Sequence, residues 1–201
     1  MIKVCVLDYG SGNVASVYNF IKFLNFDCVI SNKSKAIENS THIVLPGVGA
    51  FGASMEKIKK TIPIKVLENE VLKKNKPFLG ICVGMQVLTE SSEEFGHHEG
   101  LGWIKGKVQK LKSKMLPHIG WNEIIVKKDS KIFTGLKEHS DFYFVNSFYC
   151  NLNDKNLVIA ETEYDEIFCS AFQKENIVGV QFHPEKSQKT GQILVANFLS
   201  K

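Results

Sequence analysis

The sequence predicts an α/β fold: an open mixed, mainly parallel sheet with helices on both faces. Three observations predict it. In the first half, short apolar runs rich in β-branched residues alternate with segments of helical spacing, as in βαβ units. Those runs are apolar nearly throughout rather than at every second residue, as strands covered on both faces are. The chain has 201 residues, 44% apolar and 23% charged, enough for one domain with a sizeable core. The expected domain spans residues 1–201.

IKVCVLD (2–8) is the first strand, and the glycine-bearing YGSGN turns the chain. In NVASVYNFIKFLNF, the residues Val14, Val17, Tyr18, Ile21 and Leu24 fall on one helical face. CVIS and HIVLPG read as the next strands. GASMEKIKKTI and IKVLENEVLKK read as helices, with Pro63 opening the second. PFLGIC reads as a strand and GMQVLTESSEE as a helix. Beyond Glu99 the texture changes. GWIKGKVQKL, NEIIVKK, DFYFVNSFYC, LVIAETEY, IFCSAFQKE and IVGVQF are short, strand-like and divided by turn residues. They predict mixed or antiparallel additions to the sheet. LPHIGWN reads as a loop, and SQKTGQILVANFLS closes the chain as a helix.

Bulk properties exclude several classes. Net charge is only +4, from 25 basic and 21 acidic residues, and the lysines are scattered. No basic stripe interleaved with aromatics argues for nucleic acid. No apolar run approaches the roughly 18 residues a membrane span needs. The start, MIKVCVLDYGSGN, lacks a signal peptide's longer apolar core. The five cysteines fit neither a disulfide framework nor a zinc site. A cytoplasmic protein without metal or organic cofactor is expected.

Four cysteines sit in apolar strand-like runs. Cys82 alone lies between glycines, in Gly80-x-Cys82-x-Gly84. That spacing fits a nucleophile elbow, a tight strand-to-helix turn that exposes its central side chain. A following helix would favour the thiolate. A buried structural cysteine is the alternative on spacing alone. A thiolate nucleophile needs a base. Among six histidines, His42 enters a strand, while His97, His98 and His139 lie in polar loops. His118 is a better candidate, and His183 the best. It follows IVGVQF, at the sheet edge where ligands bind. Glu185, two residues on, is placed to fix its tautomer. In LPGVGAF, the loop Gly47–Val48–Gly49 can present backbone N–H groups to a developing oxyanion.

Together DYGSGN (8–13), LPGVGAF (45–51), GICVGMQ (80–86), PHIGWN (117–122), YFVNSFY (143–149) and FHPEKS (182–187) resemble the class I (triad) glutamine amidotransferases, which are flavodoxin-like. The resemblance spans essentially the whole chain. It implies that Cys82 attacks the side-chain amide of L-glutamine, that His183 manages protons and that Glu185 orients His183. It implies Gly47, Val48 and Gly49 as the oxyanion hole after a peptide reorients. It implies Gln86, Glu94, Ser147 and Phe148 as the substrate pocket. From the residues alone, Glu94 reads rather as a solvated acid in the run ESSEE. PGVG, PHIGWN and the lysine after FHPE are similar to a branch that passes ammonia to a HisF-type (β/α)8-barrel synthase subunit in a heterodimer. That pair forms imidazole glycerol phosphate and an aminoimidazole carboxamide ribotide in histidine biosynthesis. The same motifs imply Asn13, Trp121, Tyr143 and Lys186 at the partner interface. By itself Trp121 reads as either an exposed anchor or a core residue. One departure stands out: Asn146 occupies a position where the branch commonly has histidine. A paralogous glutaminase serving another synthase, such as a sugar amidotransferase, is the alternative, with a non-catalytic docking subunit as a third.

Overall fold

The computed structural model describes residues 2–137 and 139–200. Its strands are β1 (Lys3–Leu7), β2 (Asp27–Ser31), β3 (His42–Leu45), β4 (Phe78–Ile81), β5 (Ser91–Ser92), β6 (His98–Glu99), β7 (Gly106–Lys110), β8 (His118–Val126), β9 (His139–Asn146), β10 (Phe148–Leu152), β11 (Val158–Tyr164), β12 (Glu166–Lys174) and β13 (Ile177–Val180). Its α-helices are α1 (Val14–Phe23), α2 (Ser34–Asn39), α3 (Phe51–Thr61), α4 (Ile64–Glu68), α5 (Val83–Gln86) and α6 (Gln188–Leu199).

Nine strands form one sheet in the order β2-β1-β3-β4-β13-β12-β11-β8-β9. The pairings from β2 to β13 are parallel, and those from β13 to β9 are antiparallel. The sheet is mixed, as expected, and its antiparallel half equals its parallel half in pairings. A second sheet, β10-β7-β5-β6, adds to it. The inner parallel strands β1, β3, β4 and β13 are buried along almost their whole length, which explains their unbroken apolar runs. Phe142 stacks on Phe182 with ring centroids 4.0 Å apart, and Phe144 meets Phe182 edge-on. Each fully buried phenylalanine contributes on the order of 1.5–3 kcal/mol.

The sequence expectations need correction at several elements. The elbow helix is a single turn rather than the eleven residues of GMQVLTESSEE. A packed loop stops it. The N–H groups of Leu101, Gly102 and Ile104 donate to the carbonyls of Val87, Thr89 and Leu88, which a continuing helix would need. PHIGWN is not a loop. It opens β8, paired with β9 so that Trp121 faces Tyr143. GWIKGKVQKL becomes extended only from Gly106. DFYFVNSFYC divides at Ser147 into β9 and β10, one in each sheet. IKVLENEVLKK starts as α4 but loosens into a π turn over Asn69–Lys73. That turn carries a buried acid, Glu70, held by Lys74 at 2.6 Å and Lys76 at 2.8 Å. The short elements α2, β5 and β6 have no counterpart in the sequence reading.

Candidate active site

The four turns that matter leave the carboxyl ends of parallel strands. Asp8–Asn13 follows β1, Gly47–Gly49 follows β3, Cys82 follows β4 and His183 follows β13. Such an edge is where open α/β sheets bind ligands.

Cys82 occupies a left-handed backbone conformation, φ 53° and ψ −113°. A non-glycine residue there is strained by about 1–3 kcal/mol and persists only where its surroundings enforce it. Two glycines do so. A Cβ on Gly84 would run into the Leu45 carbonyl, and one on Gly80 into the Gly84 backbone. The Cys82 N–H donates to Val180 O at 2.8 Å, tying the turn to β13. The sequence-predicted elbow is therefore present. The expected support from a long helix is not, because α5 has four residues.

His183 is 1% exposed, and its backbone N–H donates to Tyr143 O at 2.8 Å. Its Nδ1 meets Glu185 Oε1 at 2.8 Å. Burial alone would lower the imidazole, but the hydrogen bonds and charges of Cys82 and Glu185 outweigh burial and raise it. Burial would raise the Glu185 carboxyl, and His183 outweighs it and holds the carboxyl below its ordinary value. Cys82 and Glu185 thus both act on His183, which Glu185 hydrogen-bonds directly, and His183 is disposed to carry a proton.

Asn13 belongs to this set rather than to the surface. It is 5% exposed, and its Nδ2 donates to Glu185 Oε1 at 3.2 Å. The side chain, expected at a partner interface, is thus engaged within the chain by Glu185. Ser11 Oγ donates to Asn13 Oδ1 at 3.0 Å and accepts from the Val48 N–H at 3.1 Å. A continuous chain of hydrogen bonds therefore links the Gly47–Gly49 loop to Glu185. In this resting arrangement the Val48 N–H serves Ser11, not an oxyanion. Gly47 lies buried against the elbow, where a Cβ would press on Gly84 N and Tyr9 Oη. Gly49, at φ +96°, has the backbone freedom a peptide reorientation requires.

A cavity of about 320 Å³ opens over the sulfur, lined in part by Val48, Gly49, Cys82, Gln86, Glu94 and His183. Ser147, Phe148, Asn146 and Lys186 complete its far wall. A larger depression of about 610 Å³ lies between Trp121 and the start of α6, away from the triad. The smaller one is the candidate site, because Cys82 and His183 line it. All four sequence-predicted pocket residues are there. Gln86, however, spends both amide protons inside the protein, donating to Phe148 O and Gln181 Oε1, each at 3.0 Å. Glu94 is no freely solvated acid: its Oε2 accepts from the Phe51 N–H at 2.7 Å, at the start of α3. Asn146 Nδ2 donates to Phe148 O at 3.1 Å, leaving its buried Oδ1 unpartnered at the cavity.

On β8, Trp121 is 48% exposed and Ile119 58%. Trp121 meets the Tyr143 ring edge-on, and Lys186 Nζ lies 5.6 Å from that ring's centroid. Trp121 is therefore an exposed aromatic, not a core residue. His118 lies elsewhere, stacked between Phe144 and Tyr164 in the core, where burial lowers it. Ser11 and Gln181 were missed by sequence reasoning. The signal for Gln181 was present, since it lies one position past β13 and two before His183.

The model of the glutamine amidotransferase class-I family matches residues 5–201. The chain belongs to that family. This class-I glutamine amidotransferase is 47% identical to the imidazole glycerol phosphate synthase subunit HisH of Pyrococcus furiosus, over 98% of each chain. It is 43% identical to the subunit of the same name from Aquifex aeolicus, over 100% of this chain and 97% of that one. With subunit HisH 2 of Methanococcus maripaludis it shares 43% identity, over 98% and 99%. Among solved structures, PurLQS from Thermotoga maritima has the same fold, with a TM-score of 0.76 at 17% identity over 99% of this chain and 98% of that one. The amidotransferase is an enzyme of the glutaminase type.

Proposed function

We propose that this chain is the glutaminase subunit of an imidazole glycerol phosphate synthase, acting in histidine biosynthesis. The buried Cys82–His183–Glu185 set beneath an open cavity carries the reading. Relatives above 40% identity, each called subunit HisH, support it.

In this reading L-glutamine lies in the cavity with its side-chain carbonyl against the sulfur. Cys82 Sγ bonds to the amide carbon. The C–N bond breaks, and His183 gives the departing nitrogen its proton, so that ammonia leaves. A γ-glutamyl thioester remains. His183, now neutral, takes a proton from water, whose oxygen attacks the thioester. Glutamate leaves and the sulfur is restored. Glu185 keeps the imidazole in one orientation throughout. Glu94 is the carboxylate that suits the α-ammonium group, and the backbone of Ser147 and Phe148 borders the same end. Gly47, Val48 and Gly49 supply the oxyanion donors once the Val48 peptide leaves Ser11. The isolated chain is therefore a poor glutaminase until a partner moves that loop.

The partner is a HisF-type (β/α)8-barrel synthase that takes the ammonia, and it docks on Trp121, Tyr143 and Lys186. The cytoplasm is the expected compartment; among the described residues no helix is long and apolar enough to cross a membrane. The test is glutamate release by this chain, alone and mixed with a (β/α)8-barrel synthase from the same source. Strong stimulation supports both activity and partner. Absence of stimulation, with Cys82 still alkylated by a glutamine-analogue electrophile, would reassign the chain to a different synthase.

A further inference from the structure

The one-turn α5 does little by itself to favour negative charge on the Cys82 sulfur. A helix this short has little dipole to offer. Gln181 is fully buried, one residue past β13, and β13 pairs in parallel with β4, which ends at Cys82. Its Nε2 lies 3.6 Å from Cys82 Sγ.

The direction of that contact follows from a chain of fixed partners. Phe148 O is a backbone carbonyl and only accepts. The Gln86 atom 3.0 Å from it must therefore be the amide nitrogen. That same nitrogen faces Gln181 at 3.0 Å, so Gln181 presents its oxygen there. Its NH2 group is left for the sulfur. No flip of either carboxamide satisfies all three contacts. Two buried glutamines are thus locked head to tail, with a donor ending on the nucleophile.

We propose that Gln181 is a catalytic residue that donates a hydrogen bond to the Cys82 thiolate and stabilises it, with Gln86 as its positioning residue. The role of Gln86 then lies chiefly in holding Gln181 and the Phe148 carbonyl. The proposal rests on Cys82 being the nucleophile. It is tested without glutamine or partner, so its failure is separate from failure of the functional reading.

The experiment is alkylation of the full chain by iodoacetamide across neutral to alkaline pH, with Cys82 modification quantified by mass spectrometry. Gln181→Met removes the donor at similar volume. Gln181→Glu keeps the acceptor for Gln86 but turns a carboxylate oxygen on the sulfur. The expected order at neutral pH is wild type, then Gln181→Met about tenfold slower, as loss of one charge-assisted hydrogen bond implies, then Gln181→Glu slower still. At the alkaline limit, where every thiol is ionised, the three rates converge. Equal rates at neutral pH overturn the proposal. So does an equal loss at all pH values, which marks blocked access instead of lost thiolate. If neither variant folds, Gln86→Leu decides. It frees the Gln181 carboxamide to turn, and an unchanged neutral-pH rate there also overturns the proposal.

Discussion

In the proposed reaction, acylation of Cys82 takes away the sulfur's influence on His183. The sulfur is among the groups that hold the imidazole above its ordinary value of 6.5. On that reading acylation lowers His183 when a base for water is needed. Cys82→Ala removes the same influence. His183 in that variant should titrate below wild type when followed by ring-proton NMR, and an unmoved titration would dissolve the pair. The same variant is expected to lose glutamine-dependent synthesis in the complex and keep synthesis from free ammonia. Loss of both would argue against ammonia transfer between subunits. Glu185→Gln keeps the shape but loses the charge that fixes the imidazole. It is expected to lower kcat by roughly 10²-fold or more with little change in KM. Unchanged kcat would remove Glu185 from the set. The Cys82 turn and the place of His183 were legible because each sits beside its own turn residues. The contact of Asn13 with Glu185 was not legible, since the two lie 172 positions apart.

The elbow is an element whose geometry is enforced from outside. Gly84→Ala would force a Cβ into the Leu45 carbonyl and push β3 from the turn. A loss of about 2–4 kcal/mol is expected in denaturant unfolding, as for other severe steric conflicts in a packed interior. Full stability would mean that the turn is not held this way. The strain at Cys82 makes a second prediction. Cys82→Gly and Cys82→Ala both lack the thiol, but only glycine relaxes at φ 53°. Cys82→Gly is expected to be more stable by about 1 kcal/mol, after allowing for glycine's chain entropy. A lower melting temperature than Cys82→Ala would contradict the strain. Strand and helix periods were readable along most of the chain. The extent of α5 was not, because the loop that ends it comes from Leu101–Ile104.

Across the whole molecule, buried charge sets the response to pH. The Glu70 carboxyl would be raised by burial, but Lys74 and Lys76 outweigh this and lower it. Its contribution to stability is present above the ordinary value of 4.5 and is lost as acid carries the pH down through the lowered one. Glu185 behaves likewise. His183 is raised, so its contribution is complete below 6.5 and fades as alkali carries the pH up through the raised value. Glu70→Gln should therefore destabilise the chain at pH 7 by denaturant unfolding, with the gap closing in acid. A gap independent of pH would make Glu70 a packing group only. The exposed face around Trp121 belongs to the same scale. Trp121→Ala is expected to weaken association with the barrel synthase by about 2 kcal/mol or more, as central aromatic anchors do, while the isolated chain melts unchanged. Calorimetric titration would read it, and unaltered affinity would move the interface elsewhere.

By itself the sequence determined the alternation of strands and helices, the nucleophile's turn and the His183–Glu185 pair. These follow from periodicity, glycine spacing and neighbours a few residues apart, all local in the chain. Tertiary structure alone decided that Asn13 serves Glu185, that Ser11 holds the Val48 N–H and that Gln181 faces the sulfur. Gln181 and Cys82 stand 99 positions apart, and only the parallel register of β13 on β4 brings them together. Local patterning carries no record of which strands become neighbours, so partners made by register emerge only when the sheet is assembled.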